Sequence, residues 1–165
     1  MRFRSPDPDA TRDAAAALGR ALGAQGLVLS LVGELGAGKT AFVKGLALGL
    51  GLEGVSVASP TFVIASEYET PAGPRLVHVD LYRVESVQAL EEAGFLDMLE
   101  PGAVVAVEWA DRFPEALPRD RLELRIEREA GGEGPRRFEA QAAGARAKEV
   151  LESWREELER VVGLE

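Results

Sequence analysis

The stretch from Gly26 to Gly51, GLVLSLVGELGAGKTAFVKGLALGLG, restricts the fold more than any other part of the chain. A short apolar run rich in leucine and valine stops at Gly33 and reads as a buried strand. GELGAGKT, residues 33–40, then satisfies G-x-x-x-x-G-K-[ST]. From Lys39 onward, Phe42, Val43, Leu46 and Leu50 recur at helical spacing. Strand, glycine-rich turn and helix form the context in which this motif has physical meaning. Glycines at 33, 36 and 38 let the backbone curl so that successive N–H groups face one centre, and the helix start adds its positive dipole end. Glu34, Leu35, Gly36, Ala37, Gly38, Lys39 and Thr40 are therefore the expected phosphate cradle. Lys39 would reach the β and γ phosphates, and the Thr40 hydroxyl would ligate Mg²⁺.

Guanine-specific loops of this kind add an Asn/Thr-Lys-x-Asp element. The other lysines, Lys44 and Lys148, have no such surroundings, so ATP is the expected nucleotide.

Such a loop needs a carboxylate at the end of a neighbouring strand to hold Mg²⁺ or its water. Two acids end apolar strands: Asp80 in RLVHVD and Glu108 in AVVAVE. The run before Glu108 is continuously apolar, as in parallel strands covered on both faces, whose carboxyl ends open onto the ligand crevice. The segment before Asp80 alternates more and is expected nearer the periphery. Glu108 is thus the expected metal carboxylate, and Asp80 the residue that orients or deprotonates the attacking water. His78 and Asp80 share a strand face, so the histidine either pairs with that carboxylate or lines the same cleft, with Tyr82 continuing the face. A structural histidine is the plainer reading. Trp109 either covers the site or packs beneath it. In ASPTF, residues 58–62, Pro60 keeps Ser59 out of helix. Thr61 is then placed either as a switch-loop hydroxyl or as part of a strand-entry turn.

The rest of the pattern describes one α/β domain. ATRDAAAALGRALGA is a helix capped by Asp7 or Asp9 and closed by Gly23. VIASEYE and RLVHVDLY flank a Pro/Gly turn as an antiparallel hairpin, and RLELRIERE with RRFEAQAAG forms a second. SVQALEEAGFLDML is helical with a break at Gly94. The final amphipathic helix turns Val150, Leu151, Trp154, Leu158 and Val161 to the domain. The expected architecture is a P-loop NTPase-like fold with a central, mainly parallel sheet, antiparallel hairpin additions and flanking helices.

Composition limits the function classes. At 165 residues a single domain, 1–165, is expected. A net charge of -9 argues against direct nucleic-acid binding, so any nucleic acid would be met only through partners. No cysteine means no thiolate site, and without an apolar leader or a membrane-length run the cytoplasm is expected.

GELGAGKT, SPTF, HVDLYR and VEWA in this order resemble the TsaE (formerly YjeE) family, small bacterial ATPases needed to make threonylcarbamoyladenosine in tRNA. The resemblance runs from about Thr11 to the second hairpin. It implies Mg²⁺ on Thr40 and Glu108, Asp80 and Thr61 facing the γ-phosphate, and Trp109 at the site. It also implies work with TsaB and TsaD partners, ATP hydrolysis resetting the complex between turnovers. Family members often carry a second threonine after GKT, where this chain has Ala41, which keeps the backbone N–H. Thr11 matches a family threonine near the adenine, and Arg136 an arginine before the last strand. Two other readings stay open from the residues alone: a P-loop small-molecule kinase, with residues 84–100 as its arginine-poor lid, or a nucleotide-sensing adapter that does not hydrolyse.

Overall fold

The computed structural model describes residues 1–54, 56–58, 64–71, 73–129 and 134–161. Ser59, Pro60 and Thr61 lie outside these, so the expectations for SPTF have no structural counterpart here. The described residues form a seven-stranded sheet. Its strands are β1 (Arg2–Ser5), β2 (Leu27–Val32), β3 (Ala65–Tyr68), β4 (Leu76–Asp80), β5 (Val104–Glu108), β6 (Arg121–Arg128) and β7 (Arg136–Ala143), in the order β1-β7-β6-β2-β5-β4-β3. The centre, β6-β2-β5-β4, is parallel, while β3 and β7 run antiparallel to their neighbours.

The glycine-rich motif's strand, β2, is buried along its whole length between β6 and β5. Helix α1 (Pro8–Leu22) begins with Asp7 accepting from the Ala10 N–H and ends at Gly23. Helix α2 (Lys39–Gly49) runs alongside α1 in the same direction: a Cβ on Gly45 would lie 2.5 Å from the Arg12 carbonyl oxygen, and one on Gly49 2.1 Å from that of Ala16. Glycine therefore permits this helix contact, which a methyl would force apart. Both helices and α5 (Ala145–Val161) cover one sheet face, where Phe3, Leu29, Leu31, Phe42, Phe138 and Trp154 form the larger core. Trp154 is fully buried and donates its indole N–H to the Ala14 carbonyl at 2.9 Å, satisfying its one polar group. On the other face, α3 (Val87–Glu92) and α4 (Phe95–Met98) bring Leu90 and Phe95 against Val77, Val79, Val105 and Val107.

Both hairpins, the break at Gly94 and the packing of the last helix form as the sequence indicates. Two expectations change, and one strand has no counterpart among them. Strand β4 is not peripheral: it is an interior strand pairing in parallel with β5, and its hairpin partner β3 takes the edge. Alternation misled because the polar side chain at its centre, His78, is itself buried. Strand β1 carries no apolar run to announce it; four residues suffice because β7 supplies its partner backbone. Val161, placed on the packed face, is 46% exposed, because the helix has by then run past the sheet. No helix of the described residues is long and apolar enough to cross a membrane.

Candidate nucleotide and metal site

The carboxyl ends of β2, β5 and β4 point to the same edge of the sheet. Leaving β2, the chain enters the glycine-rich loop, in which Gly36 (φ 74°) and Gly38 (φ 114°) occupy the left-handed region that a side chain would strain. Gly38 precedes the first residue of α2, so the loop residues Glu34 to Thr40 and the exposed Ala41 surround a helix N-terminus.

Glu108, the last residue of β5, is 97% buried, and its Oε1 accepts from the Thr40 hydroxyl at 2.7 Å. The two expected metal-binding side chains thus meet, Thr40 from the first turn of α2 and Glu108 from the end of β5. Asp80 is the register partner of Glu108 across β4 and β5. It is half-buried, and its Oδ1 accepts from the Tyr82 N–H at 2.9 Å, closing the turn after β4. His78 stands one step diagonally below Glu108, with Nε2 at 3.1 Å from the same Oε1. The expected pairing with Asp80 is replaced by one with Glu108. The other ring nitrogen of His78, Nδ1, is buried with no hydrogen-bond partner among the described residues, so the contact with Glu108 is the one polar tie of the imidazole.

Lys39 is 95% buried. Its ammonium donates to the carbonyls of Gly33 and Glu34 and lies 3.9 Å from the centroid of the Trp109 ring. Burial pushes its pKa below the ordinary 10.5, while Glu108, Asp80, Asp111 and Glu34 oppose that shift. Trp109, the only described non-glycine residue with positive φ (60°), turns the chain from β5 into a 3₁₀ turn at Ala110–Arg112. Its indole contacts both the Lys39 ammonium and the Tyr82 ring, which is tilted by 43° with its centroid 4.9 Å away. Trp109 therefore lies against the loop lysine. Tyr82 has left the β4 face and joins this stack, its carbonyl held by Arg112.

Thr11 and Arg136 sit on the opposite side of the loop. Thr11 Oγ1 is 2.7 Å from the hydroxyl of Ser5, whose backbone pairs with Arg136. Arg136 donates from Nε to the Ala37 carbonyl at 2.9 Å. Sequence reasoning missed Ser5, which no motif marks, and Arg128, which donates to the Leu35 carbonyl at 3.1 Å. The signal for Arg128 was its position at the end of a hairpin strand, readable only once β6 is known to lie beside β2.

Among the described residues, no three His, Cys, Asp or Glu side chains converge on one point. A hydroxyl and one carboxylate suit Mg²⁺, which keeps its waters and takes remaining ligands from phosphate oxygens.

Comparison with known proteins finds relatives over most of the chain. The family model for threonylcarbamoyl adenosine biosynthesis protein TsaE matches residues 5–138. A Bacillus subtilis protein named tRNA threonylcarbamoyladenosine biosynthesis protein TsaE is 40% identical over 152 residues, covering 92% of each chain. A Streptomyces coelicolor protein of the same name is 47% identical over 107 residues, 64% of this chain and 72% of its own. The crystal structure of Bacillus subtilis YdiB superposes with a TM-score of 0.71 at 35% identity, covering 94% of both chains. The chain belongs to the TsaE family.

Proposed function

We propose that this chain is the Mg²⁺-dependent ATP-binding and ATP-hydrolysing subunit required for threonylcarbamoyladenosine modification of tRNA, acting in the cytoplasm with TsaB- and TsaD-like partners. The names of its relatives support the pathway. The observation that carries the chemistry is the 2.7 Å contact between the Thr40 hydroxyl and Glu108 at the mouth of the glycine-rich loop. The surroundings of Lys39 support a role for a divalent cation. Glu108, Asp80, Asp111 and Glu34 all act on that ammonium, so a bare triphosphate would meet more negative than positive charge.

Thr40 and Glu108 would hold Mg²⁺. When bound, the ion would neutralise charge on the β and γ phosphate oxygens. The loop N–H groups and the α2 N-terminus would bind the phosphates, and Lys39 would exchange its loop carbonyls for phosphate oxygens. Asp80, at the rim, would orient the attacking water and accept its proton at the carboxylate. Thr61 would add a hydroxyl near the γ-phosphate, and Thr11 and Arg136 would flank the nucleoside side. Trp109 would leave or follow Lys39 as the site fills. With a net charge of -9, the chain would meet tRNA only through its partners.

Phosphate release from Mg-ATP by the chain alone, and with TsaB and TsaD added, tests this reading. Slow turnover that changes with the partners is expected. Rapid turnover indifferent to them, or none in their presence, overturns it.

A further inference from the structure

Strand β6 runs parallel beside β2 with Val32 opposite Arg125, so it outlasts β2 by three residues and ends over the glycine-rich loop. At that end Arg128 faces Arg136 directly across the β6–β7 pair. Like charges in this relation destabilise a sheet. Ile126, two residues earlier, is buried in the core under α1 and α2, so alternation puts Arg128 on the loop side. There Arg128 Nη2 donates to the Leu35 carbonyl at 3.1 Å, and Arg136 Nε to the Ala37 carbonyl at 2.9 Å. The Arg128 guanidinium also lies alongside Gly36, 3.7–3.8 Å from where a Cβ would stand.

Other carbonyls of the loop are held from within the motif and its helix. Those of Gly33 and Glu34 accept from Lys39, and that of Gly38 from the Phe42 N–H. The carbonyls of Leu35 and Ala37 are held instead from the hairpin. This matters because each precedes a glycine with positive φ. In a trans peptide the C=O of one residue and the N–H of the next point in opposite directions. Gripping the Leu35 oxygen on the hairpin side therefore turns the Gly36 N–H away from it, toward the loop interior. Glycine alone would not hold that peptide plane, since it populates both signs of φ.

We propose that Arg128 is a positioning residue: it fixes the Leu35–Gly36 peptide so that the Gly36 N–H is aimed at a bound phosphate before the nucleotide arrives. The proposal rests on the reading of the loop as a nucleotide site and adds to it a residue outside the motif. A loop already shaped loses less entropy on binding, so the brace acts on affinity rather than on the chemical step.

Calorimetric titration of Mg-ATP into wild type, Arg128→Met and Arg128→Lys, at low and at high salt, tests this. Methionine keeps the stem without the donor, and lysine restores a donor of similar reach. The methionine variant should bind about tenfold more weakly at both salt levels, with lysine intermediate. The melting temperature of the nucleotide-free Arg128→Met chain should not fall, because Arg128 is exposed and its loss relieves the like-charge pair with Arg136. Equal affinity of Arg128→Met and wild type overturns the proposal. So does a deficit that vanishes at high salt, the mark of simple charge attraction, or one matched by a lower melting temperature. If wild type itself binds no nucleotide, the nucleotide reading fails and the brace with it; a failure confined to the variants overturns the brace alone.

Discussion

His78 Nε2 lies 3.1 Å from Glu108 Oε1, and both side chains are all but sealed from solvent. That carboxylate is oriented by the histidine and by Thr40, which share one oxygen. His78 thereby fixes the orientation of Glu108 from below while Thr40 meets it from the site. Removing such a supporting partner typically costs about 10–100-fold in metal affinity. His78→Leu should accordingly raise the Mg²⁺ concentration needed for tight ATP binding by about tenfold. Metal-free nucleotide binding should stay as in wild type. A Mg²⁺ titration followed by calorimetry checks this, and an unchanged midpoint would refute the supporting role.

Glu108 and Asp80 face each other in register yet differ in burial and partners, so their conservative amides should fail differently. Asp80→Asn should lower the ATP hydrolysis rate by about 10²-fold or more with little change in nucleotide affinity, as expected for a general base. Glu108→Gln should weaken the Mg²⁺ dependence of binding. Single-turnover kinetics alongside Mg²⁺ titrations separate the two. A metal defect in the Asp80 variant alone would reverse the roles assigned here.

At Gly45, local and tertiary effects oppose each other. Alanine is favoured over glycine inside a helix by about 1 kcal/mol, yet its Cβ would come 2.5 Å from the Arg12 carbonyl oxygen and 2.8 Å from the Ala15 methyl. Overpacking of this kind costs about 1–3 kcal/mol, and neither the backbone of α1 nor the buried Ala15 can step aside. Gly45→Ala should lower stability by up to about 2 kcal/mol net, read from the urea midpoint. A stabilised variant would mean that the helices separate freely.

The ties between β1 and the hairpin predict an acid limb to the stability curve. Arg4, with Arg137, holds the Glu129 carboxyl below its ordinary value of 4.5, and Arg2, with Gln141, does the same for Glu139. Carboxylates with depressed pKa stabilise the fold above 4.5 and lose that contribution as pH falls through the folded value. Stability should therefore drop as pH falls below 4.5, and the Arg4→Met/Arg2→Met double variant should show a shallower drop. Because both acids are partly exposed and Arg2 and Arg4 are exposed, the difference is small and should shrink further in high salt. Urea melts across the acid range measure it, and superimposable slopes would count against these pairs.

The order of strand, glycine-rich loop and helix was legible in the sequence because each step is local. An apolar run, glycines at fixed offsets and a 3.6-residue period need no knowledge of distant residues. Glu108 was likewise readable, since a continuous apolar strand announces burial on both faces. Placement in space was not legible. Alternation suggested an outer β4 and a His78–Asp80 pair, whereas sheet order makes β4 interior and puts the histidine beneath Glu108. Ser5, Arg128 and the short β1 carry no pattern of their own. They reach the loop only because β7 and β6 fold back beside β2, a pairing set by long-range backbone hydrogen bonds. The sequence by itself determined the strand, the glycine-rich loop, the helix and the buried carboxylate that ends the neighbouring strand. Only the tertiary structure decided which partners aim them, because that depends on contacts between segments far apart along the chain.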